Sequence, residues 1–173
     1  MAEPLAHFIT FSTYGTWLPG RDPGYVDRHN NEFGEPVLPP DSQLEARSRS
    51  LMTQPEYRLD EPRRRIVLQT ISDHVMFRGW TLWAVHVRTN HLHVVVSTDR
   101  HPDKAMNELK AWSSRRLREQ LGEPADRRRW TKHGSTKWLW TTDELRDRID
   151  YTLDRQGVRL EHYDGSGALH GVD

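Results

Sequence analysis

The chain has 173 residues, with 25 Lys and Arg balancing 25 Asp and Glu, and therefore a formal net charge of +0. Mean hydropathy is −0.86, and no apolar run approaches the roughly 20 residues that a membrane-spanning helix needs, so no membrane partner is expected. Cysteine is absent, which excludes disulfides and thiolate metal ligands. With no signal-like start at Met1-Ala2-Glu3-Pro4, the expectation is one domain over residues 1–173 in a reducing, cytoplasmic setting.

Alternation over His7-Phe8-Ile9-Thr10-Phe11-Ser12-Thr13-Tyr14 predicts a first strand, opening a core of residues 7–157. Residues 15–59 lack periodicity and are rich in Gly, Pro, Asn and Asp. They are expected to form a long irregular insertion with a short helix around Asp41–Met52. Asp60 is placed as an N-cap ahead of Pro62, and Val67, Ile71, Val75 and Arg78 recur at helical spacing until Gly79. A second strand follows over Trp80–Val87 and a third over His91–Thr98. Pro102 to Leu121 is predicted as a helix with Met106, Leu109, Leu117 and Leu121 on its apolar side.

Charge is distributed unevenly. Residues 1–62 carry ten acids and five bases, whereas residues 104–137 carry ten bases and four acids. Four tryptophans, Trp112, Trp130, Trp138 and Trp140, are interleaved with those bases. Basic residues with aromatics are how a single-stranded polyanion is held. Lys110, Arg115, Arg118 and Lys132 are the expected phosphate contacts, and about half of the tryptophans are expected in the core. Arg129–Lys132 and Lys137–Trp140 read as two short strands around a His133-Gly134-Ser135 turn. Thr141 and Glu144 form a capping-box pattern opening a last helix, with Leu145, Ile149 and Leu153 as its buried stripe and Gly157 as its stop. Residues 158–173 are expected to fray.

The order of elements matches a ferredoxin-like βαββαβ core: an α+β fold with an antiparallel sheet, a long insertion after the first strand and a further C-terminal helix. In that layout helices cover one sheet face and the other stays available. The most informative stretch is Asn90-His91-Leu92-His93-Val94-Val95-Val96. Strand side chains alternate, so His91 and His93 share one face, expected to be the open one, while Leu92, Val94 and Val96 face the core. Paired imidazoles on a rigid strand are half of a metal site, although such a pair is more often simply a half-exposed sheet face. Two imidazoles do not complete an octahedral ion, so oxygen ligands and water are required, which fits Mg²⁺ or Mn²⁺ at a phosphate. Tyr151, on the last helix and off its apolar stripe, is the best placed of the five tyrosines to act as a nucleophile.

These residues resemble the histidine–hydrophobe–histidine signature of the HUH endonuclease superfamily. Together with Asn90, Tyr151 and the stretches Phe11-Ser12-Thr13-Tyr14-Gly15-Thr16-Trp17-Leu18-Pro19-Gly20 and Trp130-Thr131-Lys132-His133-Gly134-Ser135-Thr136, they are similar to single-tyrosine insertion-sequence transposases, including those associated with REP palindromes. The resemblance implies cleavage and rejoining of single-stranded, hairpin-bearing DNA through a 5′-phosphotyrosine. It also implies metal ligation by His91 and His93, nucleophilic attack by Tyr151, and a homodimer, although some relatives act as monomers. Replication-initiator nicking enzymes carry the same histidines, and a non-cutting hairpin-DNA-binding protein of transposase descent is the alternative from another class. The family's third ligand is a polar residue, often Gln, about a turn after the tyrosine. Here Gln156 follows Tyr151 by five residues and continues the inward stripe, and Asp154 is the alternative.

Overall fold

The computed structural model describes residues 3–22, 24–25 and 36–167. The remainder of the insertion and the end of the tail lie outside the described residues. The elements in order are β1 (Ala6–Ser12), α1 (Ser42–Ser50), α2 (Glu61–Arg78), β2 (Thr81–Val87), β3 (His91–Ser97), α3 (Pro102–Leu121), β4 (Ser135–Leu139), α4 (Thr142–Asp154) and β5 (Glu161–Asp164). The strands form one sheet in the order β4-β1-β3-β2-β5, antiparallel at every pairing. β1, α2, β2, β3, α3 and β4 make the ferredoxin-like βαββαβ core, and the fold is α+β as expected.

Helix ends follow local chemistry. The Asp60 side chain accepts from Arg63 N, and Gly79 closes α2 at φ 67, a left-handed conformation that costs glycine nothing. The Thr141–Glu144 capping box forms in both directions and starts α4. Asp41 caps α1, within the stretch where a short helix was expected.

Two cores lie on opposite faces of the sheet. On one, α2 and α3 cover Ile9, Phe11, Val85, Val87, Leu92, Val94 and Val96. On the other, the Leu145, Ile149 and Leu153 stripe of α4 packs on Ala6, Phe8, Trp83, Ala84, Val95 and Leu139. The histidine face is therefore covered by α4 rather than open. Val94-Val95-Val96 is the local sign of this: a strand with a wet face would alternate, whereas this run is buried on both sides.

Within its described residues the insertion holds α1 and is otherwise irregular, as expected, and Tyr57 and Leu59 near its end are buried in the larger core. Two further expectations need correction. Residues 129–132 do not pair with β4 as a hairpin. Instead Trp130 bridges Thr13, Tyr14 N–H donates to Arg129 O at 2.9 Å, and β4 pairs with the earlier part of β1. Both segments thus run along the same strand, with Gly134 so close to Thr10 O that a Cβ there would meet it at 2.5 Å. Residues 161–164 do not fray: β5 pairs with β2, and Glu161 is held by an ion pair with Arg64. Its Glu-His-Tyr-Asp sequence has no apolar pattern because it is an edge strand held by backbone bonds.

Candidate active site

The register of the sheet sets a row of polar side chains across the face under α4. Thr10 of β1 lies opposite His93 of β3, and His93 lies opposite His86 of β2. Ser12 lies opposite His91. The His91 and His93 rings are 5.0 Å apart between centroids, at 77°. Each ring is anchored by its Nδ1, which lies 2.7 Å from Asn90 Oδ1 in His91 and 2.8 Å from Thr10 Oγ1 in His93. Anchoring at Nδ1 orients Nε2, the usual arrangement behind a metal-ligating histidine.

Burial first, then the positive charge of Arg88, lowers His91 to about 4. Burial first, then His91, lowers His93 to about 3. Arg21 is a further charge acting on His91. Both imidazoles are therefore neutral at pH 7 and carry a nitrogen lone pair each, the state a metal requires.

α4 brings the remaining residues. The Tyr151 ring stands edge-on to His93 at 5.5 Å and to Phe8 at 5.8 Å, while Phe8 stacks on His93 at 5.5 Å. The guanidinium of Arg148 lies 5.3 Å and that of Arg155 5.6 Å from the Tyr151 ring centroid. Tyr151 is thus positioned by packing on three sides. α4 ends at Asp154, and just beyond it the Gln156 side chain turns back under the sheet. Its Oε1 lies 3.2 Å from His93 Nε2 and its Nε2 donates to Tyr151 O at 3.4 Å. Asp154 points away, paired with Arg159 on the exposed side. Of the two candidates for a third ligand, only Gln156 stands at the histidines.

Among the described residues no group of three His, Cys, Asp or Glu is placed to hold a metal. The donor set here is two imidazoles and an amide oxygen, and it fits a hard divalent cation. Adjacent ligands of an octahedral ion with bonds of about 2.1 Å are about 3.0 Å apart, close to the 3.2 Å separating Gln156 Oε1 from His93 Nε2.

The expected phosphate contacts divide. Arg115, Arg118 and Lys132 are exposed, with Arg115 paired to Glu119. Lys110 is buried, and its Nζ donates to Thr131 O at 3.0 Å and His133 O at 3.1 Å. It ties a loop to α3 and offers nothing to a phosphate. Arg127 donates to the backbone of Pro55 and Glu56, and Arg129 is buried against Glu123. Of the ten bases in residues 104–137, Lys110 and Arg129 are buried. Of the interleaved tryptophans only Trp130 packs on the core, with its ring against Phe11. Trp112, Trp138 and Trp140 are exposed.

Sequence reasoning missed Thr10 and His86. Thr10 carried a signal, as a polar residue on the β1 face that alternates Phe8-Thr10-Ser12. His86 is fully buried, with Nδ1 at 3.0 Å from Thr152 O and Nε2 accepting from Leu160 N at 3.0 Å, so it locks the end of α4 to β2.

The family described as "Transposase IS200 like" matches residues 52–147, more than half of the chain, and the chain belongs to that family. The matched range includes both histidines and ends before Tyr151 and Gln156. Among solved structures, a REP-associated tyrosine transposase bound to a REP hairpin is similar, at 11% identity and a TM-score of 0.47 over 88% of this chain. The match covers 66% of that chain, so this protein spans just under two thirds of its length. No curated protein matches.

Proposed function

We propose that this protein is a single-tyrosine transposase that cuts and rejoins single-stranded DNA near hairpins. The observation that carries the reading is the meeting of His91 and His93 from β3, Tyr151 from α4 and Gln156 from just beyond it within one chain. All four come from the same chain, which supports a site assembled in cis.

A divalent ion held by His91, His93 and Gln156, Mg²⁺ or Mn²⁺, would supply charge neutralisation on the phosphate oxygens. The protein's own groups do the rest. Phe8, His93 and Arg148 fix the tyrosine ring, so little orientational freedom is lost on attack. Arg148 and Arg155, both paired with Asp147, lie beside the Tyr151 ring. The Tyr151 oxygen forms a bond to phosphorus as its proton passes to water. The bond from phosphorus to the 3′ oxygen breaks, and that oxygen takes a proton to become a free 3′-hydroxyl. Attack by a 3′-hydroxyl on the 5′-phosphotyrosine reverses the exchange, releasing tyrosine. One phosphodiester replaces another, so no external energy source is consumed.

The test is a denaturing gel with end-labelled, hairpin-bearing DNA and Mn²⁺. The unmodified protein should give a slow covalent band and Tyr151→Phe none, with folding and DNA binding retained because the ring is unchanged. A covalent band that persists in Tyr151→Phe would overturn the nucleophile. No band from the unmodified protein across a panel of hairpins would leave a non-cutting hairpin-binding protein as the better reading.

A further inference from the structure

Beyond β1 the chain turns past the histidines in a loop whose bonds lead back to them. Thr13 N–H donates to Asn90 O at 2.9 Å, and Thr16 Oγ1 reaches the same carbonyl at 3.4 Å. Arg21 Nη1 donates to Thr16 O at 3.2 Å. Asn90 is also the residue that anchors His91. A short run of hydrogen bonds therefore ties Arg21 through Thr16 and Asn90 to the site.

On this loop Trp17 is 40% exposed, with the Arg21 guanidinium 4.2 Å from its ring centroid. The loop is braced from behind by the insertion. Gly20, at φ +85, packs so tightly on the start of α1 that a Cβ would meet Asp41 O at 2.3 Å, and Asp41 N–H donates to Gly20 O at 2.8 Å. Gly15, at φ +74, packs against Met52 and Glu56 in the same way. The described parts of the insertion hold an aromatic ring and a cation at the edge of the histidine face.

An exposed indole suits an unpaired base, because every base has a face to stack. A guanidinium suits a phosphate, to which it can donate two parallel hydrogen bonds. We infer that Trp17 and Arg21 seat an unpaired nucleotide beside the scissile phosphate, its base on the indole surface that Arg21 leaves exposed and its phosphate on Arg21. This rests on the proposed cutting site at His91, His93 and Tyr151, although its test does not require cutting.

The probe is a fluorescent stem–loop oligonucleotide, blunt or extended by unpaired thymidines on its 5′ or 3′ side. Binding to the full chain is followed by anisotropy without divalent ion, so that no strand is cut. The unmodified protein should bind one extended form more tightly than the blunt one. Trp17→Ala should weaken that form about tenfold and leave the blunt form unchanged. Trp17→Phe should restore most of the loss, and Arg21→Ala should lower the salt slope by about one phosphate contact. The seat is overturned if extension adds no affinity in the unmodified protein, or if Trp17→Ala weakens both forms equally. A selective loss in a protein that never forms a covalent adduct would keep the seat and remove the cutting reading. An adduct without selective loss would do the reverse.

Discussion

Two buried polar clusters hold separate segments of this fold together, and they are built on opposite terms. In the first, Glu123 after α3 accepts from Arg129 at 2.8 Å, Arg63 at 2.9 Å and the Tyr57 hydroxyl at 2.8 Å. Every charge there has met its opposite. Burial and the neighbouring carboxylate raise Tyr57 to about 12. Burial pushes Glu123 up, but its three hydrogen-bond donors outweigh that and hold it below the ordinary carboxylate range. In the second, burial keeps His91 and His93 neutral, and Gln156 has no charge of its own. What remains there is donor atoms turned toward one another. A cluster closed by its own ion pairs is structural, whereas a neutral cluster whose imidazole nitrogens and amide oxygen converge can exchange its hydrogen bond for a cation from outside.

Breaking the second cluster should cost chemistry far more than stability. His91→Ala should reduce Mn²⁺-dependent strand cleavage by about a hundredfold or more, since losing even an outer partner of a ligand costs about 10–100-fold. Hairpin binding should stay within a few-fold, because the phosphate contacts lie elsewhere. Cleavage assays and anisotropy on one preparation check both halves. Undiminished Mn²⁺-dependent cutting would remove His91 from the ligand set.

Breaking the first cluster should cost stability and spare chemistry. Glu123→Ala leaves Arg129, whose side chain is 3% exposed, without its carboxylate. Removing one partner of a buried pair costs about 3–5 kcal/mol. Urea titration should show that loss, while cleavage per folded molecule stays near that of the unmodified protein. A loss below about 1 kcal/mol would show that water already reaches the pair.

The two clusters were unequally legible in the sequence, for a physical reason. His91 and His93 are two residues apart on one strand, and strand periodicity alone places them side by side. Tyr151 follows from a helix whose apolar stripe, Leu145, Ile149 and Leu153, fixes which side meets the sheet, and Gln156 lies just past its end. The Glu123 cluster joins residues 60 or more apart, Arg63 and Tyr57 to Glu123, and no local pattern announces it. Lys110 read as a surface cation because its partners, the carbonyls of Thr131 and His133, lie on a distant loop, and Arg129 was counted in the basic stretch although Glu123 is near in sequence. A basic residue shows its partner only when the chain is folded, and here the partners were loop carbonyls and one glutamate. The cover over the histidine face lay between these cases. It was written in the unbroken Val94-Val95-Val96 run, yet the ferredoxin-like pattern of elements pointed to an open face.

The smallest expected effect separates the clusters by pH alone. Unfolded histidines titrate near 6.5, whereas folded His91 and His93 titrate near 4 and 3. His86 is also lowered, by burial first, and its Nε2 already accepts the Leu160 N–H, so protonation would break that bond. Below pH 6.5 the unfolded chain therefore takes up protons that the folded chain refuses, and stability falls as pH falls. The contribution is complete above about pH 7 and shrinks down to about pH 4 for His91 and about pH 3 for His93, where the folded forms also protonate. At pH 5 His91 and His93 each cost about 2 kcal/mol relative to pH 7. The Glu123 cluster behaves differently, because a carboxyl lowered from 4.5 keeps its stabilisation at pH 5 and loses it only in stronger acid. Urea melts of the metal-free protein at pH 7 and pH 5 should thus show a drop that His93→Gln partly removes and Glu123→Ala leaves in place. An equal stability at the two pH values would mean that the histidine face is wetter than its packing under α4 indicates.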